Sequence, residues 1–383
     1  MHPSPTPASS FPVQAPVPDA VDPLGDEDVR TAVDDAIDAY LARLGATMSA
    51  LDGATAPVLD EATALLAGGK RLRAAFCYWS WRAHGGTREV ERTVALGTGL
   101  ALELFQAAAL VHDDVMDRSD TRRGRPAAHR AFAGLHERNG WLGSAPGFGE
   151  SAAILLGDVL LTECNAAVRA ATDPLPVDAR RRTLALFEHM QTEVTLGQFL
   201  DVRAQAVPWG DDPRADEARA RTVIRAKSAR YSVEHPIALG AAIAGADAGR
   251  IASVTEYGLP LGEAFQLRDD VLGVFGDPAL TGKPAGDDLR EGKRTVLVCR
   301  AVRGADVSQR RLLLDRLGSP DLTEEEVGDL REVLVATGAA AAVEELIEER
   351  VSTALAALRS AGLEPAGERA IEALGLAAVR RLS

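Results

Sequence analysis

The stretch Leu102-Glu103-Leu104-Phe105-Gln106-Ala107-Ala108-Ala109-Leu110-Val111-His112-Asp113-Asp114-Val115-Met116-Asp117 decides how the rest of the chain is read. It closes a periodic apolar segment, residues 90–117, that has helical spacing and no β-branched alternation. Asp113 and Asp117 are four apart, so both carboxylates leave one helix face. Two like charges at that spacing repel each other, and a helix C-terminus is the wrong pole for them. A solvated acidic helix end is therefore a poor account. A bound cation resolves the conflict, and carboxylate oxygens that leave room for water and phosphate suit Mg²⁺.

A second acidic helix end lies far downstream, in Phe265-Gln266-Leu267-Arg268-Asp269-Asp270, and Asp277 opens the loop after it. Two such ends, remote in sequence, can face each other across one cavity and make a multi-metal site. Basic residues accompany both. Thr121-Arg122-Arg123-Gly124 follows the first motif, and Gly68-Gly69-Lys70-Arg71-Leu72-Arg73 precedes a helix. Lys227, Lys283 and Lys293 recur beside Ser, Gly and Thr. Guanidinium forks match phosphate oxygens, and lysine adds a mobile point charge. Carboxylates with basic clusters suggest a diphosphate held by Mg²⁺ on one side and Arg/Lys on the other. No GxxxxGK[ST], GxSxG or HExxH pattern occurs, so nucleotide-loop, serine-elbow and zincin readings are set aside. His112 reads as a base or equally as a structural neighbour of Asp113.

Around these motifs the chain reads as helix almost throughout. Further periodic segments span 150–171, 177–205 and 248–275, with several more from 307 to 382. Acidic starts such as Thr323–Glu326 and basic ends such as Arg380-Arg381 complement the helix dipole. The stretches 118–149, 207–213 and 276–294 break the pattern and are the candidate functional loops. Residues 1–25 carry Pro3, Pro5, Pro7, Pro12, Pro16, Pro18 and Pro23 and read as a disordered Pro/Ala-rich tail. Residues 26–383 then form one domain.

Composition narrows the class. The 383 residues carry a net charge of −14, which argues against a general nucleic-acid binder but leaves room for a small phosphorylated ligand. Three scattered cysteines, Cys77, Cys164 and Cys299, make a disulfide framework or structural zinc site a poor fit. They point to a reducing, cytoplasmic compartment. No unbroken run of about 18 apolar residues marks a membrane span, and no signal peptide is evident.

The ordered set Gly68–Arg73, Asp113-Asp114-x-x-Asp117, Arg122-Arg123-Gly124, Gly157-Asp158, Gly197-Gln198, Lys227-Ser228, Phe265-Gln266-x-x-Asp269-Asp270 and Gly292-Lys293-Arg294-Thr295 resembles the trans-isoprenyl diphosphate synthases. These polyprenyl synthetases include geranylgeranyl diphosphate synthases. The resemblance spans about residues 30–383. It implies an all-α bundle around a deep central cavity, a homodimer, and condensation of isopentenyl diphosphate with an allylic diphosphate. Asp113, Asp114 and Asp117, with Asp269, Asp270 and Asp277 or Asp287, would hold about three Mg²⁺ ions. Arg122, Lys227, Lys283 and Lys293 would support the leaving diphosphate, and Lys70, Arg73 and Arg123 would hold isopentenyl diphosphate. Gln266 and Ser228 belong to the same binding set.

The chain departs from the family pattern at three places. Gln106 stands where many members carry histidine, Gly273 where the second motif usually ends in aspartate, and Ser228 where threonine is common. Small Ala108 and Ala109, upstream of Asp113, remove the near floor of the short-product members. Phe105, about 12 Å below Asp113 at 1.5 Å per residue, is then the first bulky floor. The expected product is C20, with C15 or C25 and longer as alternatives. Two other readings are a class I terpene cyclase and a non-catalytic synthase subunit. The second diphosphate set at Lys70–Arg73 and Arg122-Arg123 argues against a cyclase. The five aspartates of the two motifs argue against an inactive subunit. The proline-rich tail could dock a shell or partner protein.

Overall fold

The computed structural model describes residues 21–210, 212–277, 286–319 and 321–380. The chain runs α1 (Val29–Leu51), α2 (Ala56–Leu66), α3 (Leu72–Ala83) and α4 (Glu89–Asp117), then a two-stranded ribbon, β1 (Thr121–Arg122) and β2 (Arg125–Pro126). Next come α5 (Ala128–Arg138), α6 (Ala145–Thr172), α7 (Val177–Ala206), α8 (Pro213–Val223), a π-helical segment (Ile224–Glu234), α9 (His235–Ile243) and α10 (Ala248–Phe275). The short α11 (Asp287–Arg290) is followed by α12 (Val296–Gly304), α13 (Val307–Arg316), α14 (Glu324–Ala336), α15 (Ala339–Ser360) and α16 (Pro365–Val379). The fold is all-α, as the periodicity predicts.

Helix α4 is the central element. Leu100, Leu102, Leu104, Ala108 and Val111 are buried on several sides of it, so it is packed around its girth by α3, α6 and α1. It carries an apolar window long enough to cross a membrane, with mean hydropathy 1.7 and 72% of that window buried. Helix α6 carries a second such window, 33% buried. The count of unbroken apolar residues missed both, because a few polar positions interrupt them. For α4 the burial supplies the reason: it is wrapped by protein.

The four long helices expected at 90–117, 150–171, 177–205 and 248–275 are present, and α6 starts five residues earlier than expected. Two local structures were not expected. The stretch 118–149 is not a plain loop, since it holds the ribbon and α5. The segment 224–234 is π-helical rather than α-helical. Its backbone is pressed between α7 and α10 at glycines. A Cβ at Gly197 would fall 2.5 Å from Lys227 N, and one at Gly262 would fall 2.2 Å from Ala229 O. Only glycine permits that approach, which accounts for Gly197 in the sequence motif.

Val21–Gly25, read as the end of the tail, pack on the body. Pro23 is buried and its carbonyl accepts from Trp79 Nε1 at 2.6 Å. The reading of the tail as a docking peptide rests on residues 1–20, which lie outside the described residues. Cys77, Cys164 and Cys299 are free and buried.

Candidate active site

A cavity of about 1280 Å³ opens between α4, α7, the π-helical segment and α10. Its wall carries Asp113, Arg122, Arg123, Lys227, Ser228, Gln266, Asp269, Asp270 and Lys293, together with Lys70, Arg73 and Gln106. The two acidic helix ends and the basic clusters therefore meet in one place, as expected.

The first motif divides by helix geometry. Asp113 faces the cavity, accepting from Lys227 Nζ at 2.9 Å and from Gln198 Nε2 at 3.0 Å. Asp114 lies about 100° further round and does not line the cavity. It is buried under Arg122, whose Nε lies 3.0 and 3.1 Å from its two oxygens and whose Nη2 also donates to it. Asp114, expected among the metal ligands, thus lies off the cavity wall and holds Arg122 instead. Asp117 shares the face of Asp113 but does not reach the cavity wall, because Lys293 Nζ covers it at 3.2 Å.

Arg122 and Arg123 are presented by the ribbon. Thr121 pairs with Pro126 and Arg122 with Arg125, leaving Arg123-Gly124 as a two-residue turn. Both turn residues have positive φ, 54° and 72°, as a tight hairpin with right-handed strand twist requires. Arg123 Nη1 donates to the carbonyls of Leu65 and Ala67 at 3.0 and 3.1 Å, which ties the ribbon to the loop carrying Lys70.

On the other wall, Lys227 bridges Asp113 and Asp201 Oδ2, the latter at 2.6 Å. Burial disfavours its charge, but Asp113 and then Asp201 outweigh that and keep the ammonium protonated. Burial would likewise raise the Asp113 carboxyl, yet Lys227 and Lys293 hold it below the usual carboxylate range. Lys293 contacts Glu291 Oε2 at 2.6 Å and Asp288 Oδ1 at 3.5 Å as well as Asp117. Asp270 behaves oppositely. Burial first, then the neighbouring Asp288 and Asp269 charges, push its carboxyl up to about 8 against a hydrogen bond from Gln266.

Arg73 Nη2 donates to Ser232 Oγ at 2.7 Å, and its guanidinium lies 4.2 Å over the Tyr231 ring. Among the described residues, Gln106 Oε1 is buried without a hydrogen-bond partner on the cavity side of α4. His112 is structural: Nε2 lies 3.1 Å from the Ile154 carbonyl, and a Cβ at Gly157 would fall 2.1 Å from that nitrogen. This explains Gly157 and gives His112 a structural contact, although it also lines the cavity.

Some expected residues are placed elsewhere. Asp277 is exposed beyond the end of α10 and does not line the cavity. Asp287 does line it. Lys283 lies outside the described residues. Ala109 and Phe105 line the cavity, but Ala108 does not; it is fully buried in the core. The sequence reading missed Asp201, Tyr231, Ser232 and Asp288. Asp201 carried a signal, one helical turn from Gln198. The two π-segment residues carried none, since their positions depend on a non-α spacing.

The carboxylates fit Mg²⁺. Asp113, Asp269, Asp270 and Asp288 line the same cavity, and after burial the Asp288 and Asp269 charges add to the upward push on the Asp270 carboxyl, a local excess of negative charge. A hard divalent cation relieves that excess through oxygen ligands.

The comparisons agree with this geometry. Residues 57–334 match the family described as polyprenyl synthetase. The chain is 32% identical over 282 residues to a geranylfarnesyl diphosphate synthase of Aeropyrum pernix, covering 71% of this chain and 77% of that one. It is 30% identical over 308 residues to a geranylgeranyl diphosphate synthase of Mycobacterium tuberculosis, covering 80% and 79%. Among solved structures, a geranylgeranyl pyrophosphate synthase of Corynebacterium glutamicum, complexed with isoprenyl diphosphate and magnesium, superposes with a TM-score of 0.82 at 34% identity over 93% of this chain and 98% of that one. Two acidic helix ends, two basic clusters and a match over most of the helical body lead to one conclusion: the chain belongs to the polyprenyl synthetase family and is a prenyltransferase.

Proposed function

We propose that the chain condenses isopentenyl diphosphate with an allylic diphosphate in the presence of Mg²⁺ and releases mainly a C20 product. The observation that carries this reading is one cavity lined both by carboxylates with Lys227 and by the basic residues Lys70, Arg73 and Arg123, which supports two diphosphate positions.

Mg²⁺ bound by Asp113, Asp269, Asp270 and Asp288 would supply charge to ionise the allylic diphosphate. Lys227 and Lys293 place ammonium charge beside the leaving oxygens. Lys70, Arg73 and Arg123 orient the second substrate so that its double bond faces the nascent cation. Apolar side chains deeper in the cavity, among them Ala109, Phe105, Leu161 and Val194, exclude water from that cation. The departing diphosphate serves as the base, and no side-chain base is required.

Ala109 leaves the upper cavity open, and Phe105 stands on the cavity wall one turn deeper, edge-on to Tyr231 at 5.6 Å. That placement supports a floor compatible with C20. The homodimer is supported by large apolar side chains exposed on α6 and α7 away from the cavity: Ile154, Leu155 and Leu196 are 45, 63 and 58% exposed. A cytoplasmic location and docking of the tail on a shell or partner protein complete the proposal.

The test is direct. Purified protein is incubated with Mg²⁺, labelled isopentenyl diphosphate and each of the C5, C10 and C15 allylic diphosphates, and chain length is read after dephosphorylation. A C20 product lost in Asp113→Ala supports the reading. No condensation with any primer, by folded protein, overturns it.

A further inference from the structure

Outside the diphosphate cavity, α7 and α9 bring together two imidazoles and a carboxylate. We propose that His189, Glu193 and His235 form a binding site for a transition-metal ion of the Zn²⁺ type. Their ligand atoms all lie within 4.8 Å of one another. His189 and Glu193 are four apart on α7, so they share a face. His235 opens α9 and meets them from the neighbouring helix.

The three groups are oriented as ligands. Glu193 Oε2 lies 2.8 Å from His235 Nε2, and Glu193 Oε1 accepts from Arg230 Nη1 at 2.7 Å. Arg230 thus fixes one carboxylate oxygen and leaves the other turned to the imidazole, the outer-shell arrangement that orients a metal-binding carboxylate. Burial would raise the Glu193 carboxyl, but His235 and Arg230 hold it below the usual range, so it is ionised. The two imidazole rings stand edge to face with centroids 5.7 Å apart.

The ligand chemistry selects the ion. Two nitrogens and one oxygen suit Zn²⁺ and its neighbours, at about 2.0–2.2 Å from each ligand atom. Mg²⁺ prefers oxygen alone and would not compete. Access is from the side of His189, which is exposed, whereas His235 is only 7% exposed. A bound ion would replace the Glu193–His235 hydrogen bond and clamp α7 to α9. Helix α7 carries Gln198 and Asp201, and the π segment leading into α9 carries Lys227. The ion would therefore brace the frame of the cavity without entering it.

The test uses the full chain stripped of metal and then held in saturating Mg²⁺, so that the aspartates are already occupied. Zn²⁺ is titrated by calorimetry, and the zinc X-ray absorption edge is recorded. The expected result is one Zn²⁺ per chain, imidazole scattering from two histidines and a higher melting temperature. His189→Ala, at an exposed position, should weaken binding at least tenfold and leave Mg²⁺-dependent condensation intact. Equal Zn²⁺ affinity in the wild type and His189→Ala overturns the proposal. So does a zinc spectrum without imidazole, or an absence of binding to the wild type.

Discussion

Asp288 occupies the space that a side chain at position 273 would need: a Cβ on Gly273 would fall 1.9 Å from Asp288 Oδ2. The backbone supports the arrangement, since Gly286 N donates to the Gly273 carbonyl at 3.2 Å. The space at the end of the second motif is thus filled by a carboxylate from α11, fifteen residues later.

Substitution can exchange the two positions. Asp288→Ala should cut condensation by about 10²-fold, the scale of losing one charged group at a preorganised site, and raise the Mg²⁺ concentration needed. Adding Gly273→Asp to that variant returns a carboxylate to the same space and should recover part of the loss. Gly273→Asp alone should impair activity, because two carboxylates would then compete for one volume. Activity and Mg²⁺ titrations of the three variants check this. A double variant no better than Asp288→Ala would show that Asp288 acts by some means other than its carboxylate.

Lys227 is held between Asp113 and Asp201, so its loss leaves two half-buried carboxylates facing each other. Lys227→Ala should lower kcat by about 10²–10³-fold, since it removes charge that counts most as the diphosphate leaves. Breaking a buried pair also costs up to about 3–5 kcal/mol, and 13–20% side-chain exposure here places the cost below that range. Lys227→Ala combined with Asp201→Asn should regain stability without regaining kcat. Thermal melts and single-turnover rates separate the two effects.

The fold was legible in the sequence because long helices declare themselves by period. The four long segments are present, and their ends fell within a few residues of expectation. The site was legible in its residue types but not in its facing. Asp113, Asp114 and Asp117 read as one motif, yet adjacent helix positions diverge by about 100°, so Asp114 serves Arg122 rather than the cavity. Ala108 and Ala109 divide in the same way. Asp288 and Tyr231 escaped because their placement depends on tertiary packing, one filling the gap at Gly273 and the other riding on a π-helical segment. The sequence shows the glycines, but not what lies against them.

Asp270 gives the site a pH dependence with a defined sign. Its carboxyl is raised to about 8, first by burial and then by Asp288 and Asp269. An unfolded aspartate titrates near ~3.9. Between these values the folded, metal-free chain binds more protons than the unfolded chain, so its stability falls as pH rises. Mg²⁺ requires the ionised carboxylate, so its affinity rises across the same window. In EDTA, the melting temperature of the wild type should therefore fall more steeply from pH 5 to 8.5 than that of Asp270→Asn. Parallel slopes for the two proteins would falsify this assignment.

Product length tests the cavity floor, and the structure separates three neighbouring positions on α4. Phe105 lines the cavity and leans on Tyr231, so Phe105→Ala should extend products beyond C20. Ala109 lines the cavity nearer Asp113, so Ala109→Phe should raise the floor by one helical turn, about 6 Å, and shift products towards C15. Ala108 is fully buried in the core instead. Ala108→Phe should overpack it, at a cost of about 1–3 kcal/mol, and leave the product profile of the protein that still folds unchanged. Product chromatography beside thermal melts distinguishes the three. A product shift from Ala108→Phe equal to that from Ala109→Phe would mean that α4 turns a different face to the growing chain. An unchanged profile in Phe105→Ala would move the floor to the α6 and α7 side chains, Leu161 and Val194, that share the cavity wall.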